Sequence, residues 1–352
     1  MLYTELKNRA IPPLKNKEKM LDTILKTQYG YIPPKPEKIE WIRSESLVSP
    51  FCTGHATITR VECNCEINGK PFTFPFMASI PTSEGPHPFF VFINFRPDVP
   101  DRYLPLEEII DHGYAVLSVY YNDISLDKDE YESGLCGILF ENGIRKPNDC
   151  GKLSMWAWAS HRILDWAETI PELDMSRACV CGHSRLGKTA LLAAATDKRF
   201  KLAYSNDSGC MGAAISRGKG GERKEPICRI FPHWFTPSFN EMSTDESLLP
   251  HDQHYLVSSI SPRFVLIGSA DEDWWADPQS EMLCCVASSP MFEQDGVTGF
   301  IHNNRYAEVD EKYFEGAIGY HLRRGPHYFG REDWLRLIEF TDKKFEKRGN
   351  LQ

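Results

Sequence analysis

The chain has 352 residues, with 40 Lys and Arg against 49 Asp and Glu for a formal net charge of −9, and 41% of its positions are hydrophobic. This is the composition of an ordinary folded globular protein, and the acidic excess argues against nucleic acid as a partner, because a phosphate backbone calls for a basic face. No run of about 18 apolar residues occurs, so no membrane role is expected. The opening residues, Met1 to Lys7, lack the basic segment and long apolar stretch of a secretory signal, and a cytoplasmic location is expected unless a leader has been removed.

In chain order, residues 1–45 are rich in Lys and Pro, with one helical stretch at Lys17–Thr27 that ends before Pro33-Pro34 and Pro36. They read as an N-terminal arm packing on a main body, residues 46–352. Strand-like runs follow at Ala56–Glu62, Pro71–Ala78, Pro88–Phe95 and Gly113–Tyr121. The last two are almost continuously apolar, as strands covered on both faces of a parallel sheet are. A helical pattern spans Ser154–Thr169, then a strand at Arg177–Cys181 and an Ala- and Leu-rich helix reaching Thr196. After a strand at Leu202–Ser205 comes a loop-rich section, Gly209–His254. A buried strand at Arg263–Gly268, a last strand at Gly316–His321 and a terminal helix at Trp334–Phe345 complete the pattern. Strands first, then strands alternating with helices, predict one α/β sheet.

Eleven cysteines cannot all pair with one another, and Cys179, Cys181, Cys284 and Cys285 sit where small hydrophobes would, so they read as buried free thiols. Cys63-Asn64-Cys65 is too tight for a zinc knuckle, and neither a metal nor an organic cofactor is expected.

Gly182 to Thr189 fits two motifs at once. As G-x-x-x-x-G-K-T it is a formal phosphate-binding loop; as Gly182-x-Ser184 between strand and helix it is a nucleophile elbow. Bulky His, Ser, Arg and Leu in the four variable positions disfavour a backbone wrapped round an anion. Roughly four strands also precede it, whereas a phosphate loop usually opens its sheet. The elbow is the preferred reading, with a nucleotide-binding protein as the alternative from another class.

The elbow departs from G-x-S-x-G, since Leu186 replaces the second glycine and Gly187 arrives one residue later. In this form, Gly182-His183-Ser184-Arg185-Leu186-Gly187-Lys188-Thr189-Ala190 resembles the elbow of the glucuronoyl esterases, a carbohydrate esterase family with the α/β-hydrolase fold. Trp156 to Ala159, Ser208-Gly209 with Gly212 to Ala214, Phe231 to Phe235, Leu249 to His254, Glu272 to Pro278 and Tyr320 to Arg323 continue a likeness to its bacterial branch, over roughly residues 20–345. The resemblance implies a mostly parallel central sheet with helices on both faces. It also implies hydrolysis of a small or oligosaccharide ester of glucuronic or 4-O-methylglucuronic acid. A sugar acetyl esterase is the alternative within hydrolases, and the oligomeric state is left open.

A serine hydroxyl needs a positioned base. Among 11 histidines, His327 lies between the last strand and the last helix, where α/β hydrolases carry theirs. His183 is expected to point away from the serine beside it, and His233, His251, His254 and His321 to fill core or surface positions. Two acids compete to orient the base: Asp273, in the loop after the penultimate strand, and Asp207, where relatives carry a Glu before Ser-Gly. Asp273 is preferred, with a contribution from Asp207 left open. Arg185 and Lys188 lie in the first turn of a helix, whose dipole disfavours cations by about 0.3–1 kcal/mol. Something negative or hydroxyl-rich is therefore expected beside them. The resemblance gives Arg185 to the oxyanion and Lys188 to sugar hydroxyls. Next to the candidate acid, Trp275 is the ring expected to stack on a pyranose.

Overall fold

The apolar runs become the middle of one mixed sheet in the computed structural model, which describes residues 1–349. Its strands are β1 (Lys38–Arg43), β2 (Leu47–Val48), β3 (Ala56–Ile67), β4 (Lys70–Pro81), β5 (His87–Asn94), β6 (Ala115–Tyr120), β7 (Leu173–His183), β8 (Leu202–Asn206), β9 (Phe264–Ala270), β10 (Lys312–Tyr313) and β11 (Ile318–Arg323). They lie in the order β1-β3-β4-β6-β5-β7-β8-β9-β11-β10, with β2 on β3. From β6 to β11 every pairing is parallel; the flanks are antiparallel.

β5 is buried at every position because both faces are covered. Phe89, Val91 and Ile93 join Trp156, Leu186 and Met282, from the helices Lys152–Ala167, Arg185–Thr196 and Pro278–Gln294. Phe90 and Phe92 turn the other way, onto Leu106, Trp334 and Leu337, from Leu106–Asp111 and Arg331–Gly349. Strand alternation thus splits one apolar run between two cores. All 11 cysteines are free and buried, and no described helix is long and apolar enough to cross a membrane.

Several element limits differ from the sequence expectation. A short helix, Leu2–Asn8, precedes the one expected at Lys17–Thr27, which stops at Ile24 and continues as a π-turn, Leu25–Tyr29, carrying the buried Gln28 and Tyr29 inward. β7 starts at Leu173, since His87 pairs with Leu173 before the register shifts. The last strand is displaced to Ile318–Arg323, and the terminal helix begins at Arg331, a turn early, where Asp333 accepts the Gly330 amide at 3.0 Å. Within the first 45 residues β1 pairs with β3, placing Trp41 edge-on to Phe76. β3 and β4, 12 residues each, form a hairpin closed by Asn68-Gly69, both with positive φ, 54° and 70°, a pairing that matches the twist of the strands.

The carboxyl ends of the parallel strands share one edge. Asp127 follows β6, Ser184 follows β7, Asp207 follows β8, Asp273 follows β9 and His327 follows β11. Loops there converge on a crevice, as in open parallel sheets generally.

The turn after β7 depends on absent side chains. A Cβ on Gly182 would stand 2.2 Å from the Leu186 carbonyl oxygen; one on Gly187 would crowd Ser205 Oγ at 3.0 Å and Gly182 O at 3.1 Å. We predict that Gly182→Ala lowers unfolding free energy by about 3 kcal/mol or more in urea titration, because backbone must move to admit the methyl group.

Candidate active site

Ser184 caps the helix Arg185–Thr196 with φ 57° and ψ −126°, a conformation that L-residues adopt at a cost of about 1–3 kcal/mol. Its amide donates to Asn206 O at 2.8 Å, so the elbow is pinned to the end of β8. The Gly187 and Lys188 amides donate to Ser184 O, at 2.9 and 3.2 Å. The phosphate-loop reading fails here, because amides that would cradle an anion close the turn instead, and Lys188 Nζ donates to Ser208 O.

Ser184 opens into a cavity of about 310 Å³ that it shares with Arg185, Lys188, Asp207, Asp273, Trp275 and His327. Every site residue expected from the sequence therefore lines one cavity. His327 Nδ1 lies 2.6 Å from Asp273 Oδ2, and Asp273 Oδ1 also accepts the Ala276 amide at 3.1 Å. The carboxylate is thereby fixed and the imidazole oriented, with Nε2 left for proton transfer.

Asp207 has a different partner. Its Oδ2 accepts from Arg323 Nη2 at 3.0 Å, while Arg323 Nε donates to Asp333 Oδ1 at 2.8 Å, all three side chains fully buried. Burial pushes the Asp207 carboxyl well above its usual range, against the pull of Arg323, and its Oδ1 has no partner. Ligand atoms of Asp207, Asp273 and His327 lie within 4.8 Å of one another, the one such cluster among the described residues. A cation there would compete with Arg323 for Asp207 and with His327 for Asp273. The side chains present fit an ion pair and a His–Asp pair better than a metal site.

His183 is buried and does not line the cavity that Ser184 opens into. Its ring centroid is 4.4 Å from that of His327, and it stacks on Phe329 at 6.0 Å. Nδ1 meets Asn206 Oδ1 at 2.7 Å. Burial, then the nearness of His327, holds the His183 pKa well below the usual imidazole value, so His327 packs against an uncharged ring.

Arg185 and Lys188 differ although they share one helical turn. Burial lowers the Lys188 pKa, with Glu222 opposing, and Lys188 lines the cavity while its ammonium donates to Ser208 O. Arg185 pairs with Asp127, and its guanidinium lies over Trp234 at 4.7 Å and Phe231 at 5.1 Å. Asp127 also accepts from Trp234 Nε1 at 2.7 Å and Tyr121 OH at 3.2 Å, and meets His233 Nε2 at 2.8 Å. Burial works against its charge, yet His233, Arg185 and Trp234 together hold its carboxyl well below the ordinary range. Asp127 is the negative group beside Arg185 at this helix start, and Glu222 is the acid that acts on Lys188. The sequence offered Asp123, Asp127, Asp129 and Glu130 in one loop with nothing to rank them. His233 thus supports the site, whereas His251 and His254 are buried in the core and His321 meets Tyr204 OH at 2.9 Å.

Asp127 stabilises the fold as a carboxylate. A depressed folded pKa contributes stability above the unfolded value, near 3.9, and loses it as pH falls through the lower folded value. We predict that Asp127→Asn costs about 1–3 kcal/mol at pH 7. In urea unfolding the gap to the parent protein should narrow below pH ~4.

Residues 63–296 match the family model described as fungal glucuronyl esterase. Carbohydrate esterase MZ0003, from an unknown prokaryotic organism, is 39% identical over 239 residues, 67% of this chain and 55% of that protein. The chain therefore spans little more than half the length of that relative. A 4-O-methyl-glucuronoyl methylesterase of Phanerochaete carnosa is 27% identical over 294 residues, 80% of this chain and 68% of the other. Among solved structures, a glucuronoyl esterase from Solibacter usitatus superposes with a TM-score of 0.84 at 27% identity, covering 93% of this chain and 92% of that one.

Proposed function

The chain belongs to the glucuronyl esterase family, and on that premise we propose that it is a serine esterase cleaving esters of glucuronic or 4-O-methylglucuronic acid through an acyl-enzyme. The observation that carries this reading is one cavity holding a serine on a strained turn, an imidazole bonded to a buried carboxylate, and two cations. The names of the relatives support the uronate as the acyl part.

In the proposed cycle His327 Nε2 takes the Ser184 proton as Oγ attacks the ester carbonyl. Asp273 keeps the imidazole in the tautomer with Nδ1 protonated and stabilises the imidazolium that forms. Arg185, held by Asp127 on the faces of Trp234 and Phe231, supplies positive charge where the oxyanion develops. Its Nε is buried and lacks a protein partner. The imidazolium then protonates the leaving alcohol, and water repeats the steps to release the uronate. Because the neighbouring His183 is neutral, it adds no full positive charge against the imidazolium. Lys188 and Trp275 hold the sugar, by hydrogen bonds to hydroxyls and by stacking.

Of the two acids, we assign Asp273 to the triad and Asp207 to the ion pair behind it. Asp273→Asn should lower kcat on benzyl glucuronate by about 10⁴. Asp207→Asn should act chiefly on thermal stability; equal kinetic losses would reverse the assignment.

Arg185→Ala should lower kcat by about 10²–10³ with KM little changed. The substrate class is tested by comparing benzyl glucuronate with acetylated xylose and p-nitrophenyl acetate. Preference for the uronate is the expected result, and preference for either acetate would favour the acetyl esterase alternative.

A further inference from the structure

Lys152 is the first residue of the helix Lys152–Ala167, and its side chain is fully buried. The helix dipole opposes a cation at that end, and burial adds a desolvation cost. The proposed cycle does not use it.

The place its ammonium reaches accounts for both costs. It crosses to the loop after β6 and donates to Leu126 O at 2.7 Å, Lys128 O at 2.7 Å and Glu130 O at 2.6 Å. Three acceptors use all three N–H bonds of an ammonium, and a neutral amine has only two, so this contact set calls for the charged form. Glu130 Oε1 stands 3.7 Å away as a countercharge. One turn further along the helix, Trp156 Nε1 donates to Ser125 O at 3.0 Å. Four carbonyls between Ser125 and Glu130 are thus tied to the start of one helix.

Asp127 is the residue that this clamp aims. The carbonyls before and after it in the chain end on the same nitrogen, and its own amide donates to Asn122 Oδ1 at 2.8 Å. Its backbone is held on both sides while its carboxylate meets Arg185, His233 and Trp234. The same helix start also fixes Trp234. A Cβ on Gly151 would stand 2.0 Å from Trp234 O, so only a bare Cα fits against that backbone. Both supports of the Arg185 guanidinium, the carboxylate and the indole face, are therefore anchored on residues 151 and 152.

We propose that Lys152 is a positioning residue for Arg185: its ammonium is the internal cation round which the loop after β6 is wound, and through Asp127 it sets where the guanidinium stands before substrate binds. The proposal rests on the esterase reading, which gives Arg185 the oxyanion. A lysine that served the fold alone would act with or without Arg185, whereas one that works through the guanidinium affects kcat only while Arg185 is present.

The test is a double-mutant cycle of Lys152→Met and Arg185→Ala on benzyl glucuronate. Methionine keeps the apolar stem and removes the three donors. In the parent protein Lys152→Met should lower kcat by about ten- to a hundredfold, as a displacement of about 1 Å at a reacting group does, with KM within about twofold. In the Arg185→Ala background it should change kcat by less than about twofold. An unchanged kcat in the parent, a loss confined to KM, or the same loss in both backgrounds overturns the proposal. Should Lys152→Met fail to fold, Lys152→Gln, which keeps two N–H donors, replaces it under the same criteria; if neither folds, the residue serves the fold as a whole and the proposal falls. If the parent does not hydrolyse the ester, the esterase reading fails by itself, and the indole N–H resonance of Trp234, assigned by its loss in Trp234→Phe, carries the test. An upfield move in Lys152→Met, as the bond to Asp127 loosens, upholds the positioning role, and any other result overturns it.

Discussion

The contact on which the site depends is the approach of Gly182 to the backbone of Leu186, closer than any side chain would allow. It forces the chain to reverse between β7 and the following helix within a single residue, and Ser184 takes the positive φ that results. Asp207, at the end of the adjacent β8, also has a positive φ, of 44°. Two strained residues at the ends of neighbouring parallel strands set the floor of the crevice. The Ser184 amide bond to Asn206 O and the His183–Asn206 side-chain contact hold those ends together. Strain of this kind persists where surrounding structure over-determines it.

Two buried charge clusters flank this floor and serve different ends. Asp207, Arg323 and Asp333 lie fully inside the protein, tying the ends of β8 and β11 to the start of the last helix. Asp127 and His233 lie behind Arg185 at the cavity wall, where the carboxylate fixes the direction of a guanidinium whose side chain stays 25% exposed. The first cluster resists deformation. In the second, a charge is held ready before any ligand arrives, and a fixed charge needs no reorganisation when one does.

Much of this was legible in the sequence because it follows from short-range rules. The apolar runs of β5 and β6, the turn at Gly182 to Gly187 and the position of His327 past the last strand follow from periodicity, turn chemistry and fold order. What escaped depends on contacts distant in sequence. Asp127 reaches Arg185 across 58 positions, and nothing local separates it from its acidic neighbours. His183 meets His327 because the turn and the final loop share one sheet edge. The choice between Asp207 and Asp273 turns on Arg323, which engages one of them and leaves the other to the imidazole. The strands of the hairpin showed as the runs Ala56–Glu62 and Pro71–Ala78, and the extension of the sheet by β1 was masked by the prolines before it.

The eleven thiols, all sequestered, have a consequence for the life of the protein outside its native state. While folded, groups such as Cys179, Cys181, Cys284 and Cys285 are kept protonated and out of reach of oxidants, their acidity suppressed by burial. Denaturation releases them together, at ordinary acidity, into a chain with no native crosslink to guide recombination. Under air, scrambled bridges would then trap the denatured chain, so its durability is governed by how seldom it opens rather than by how readily it closes again.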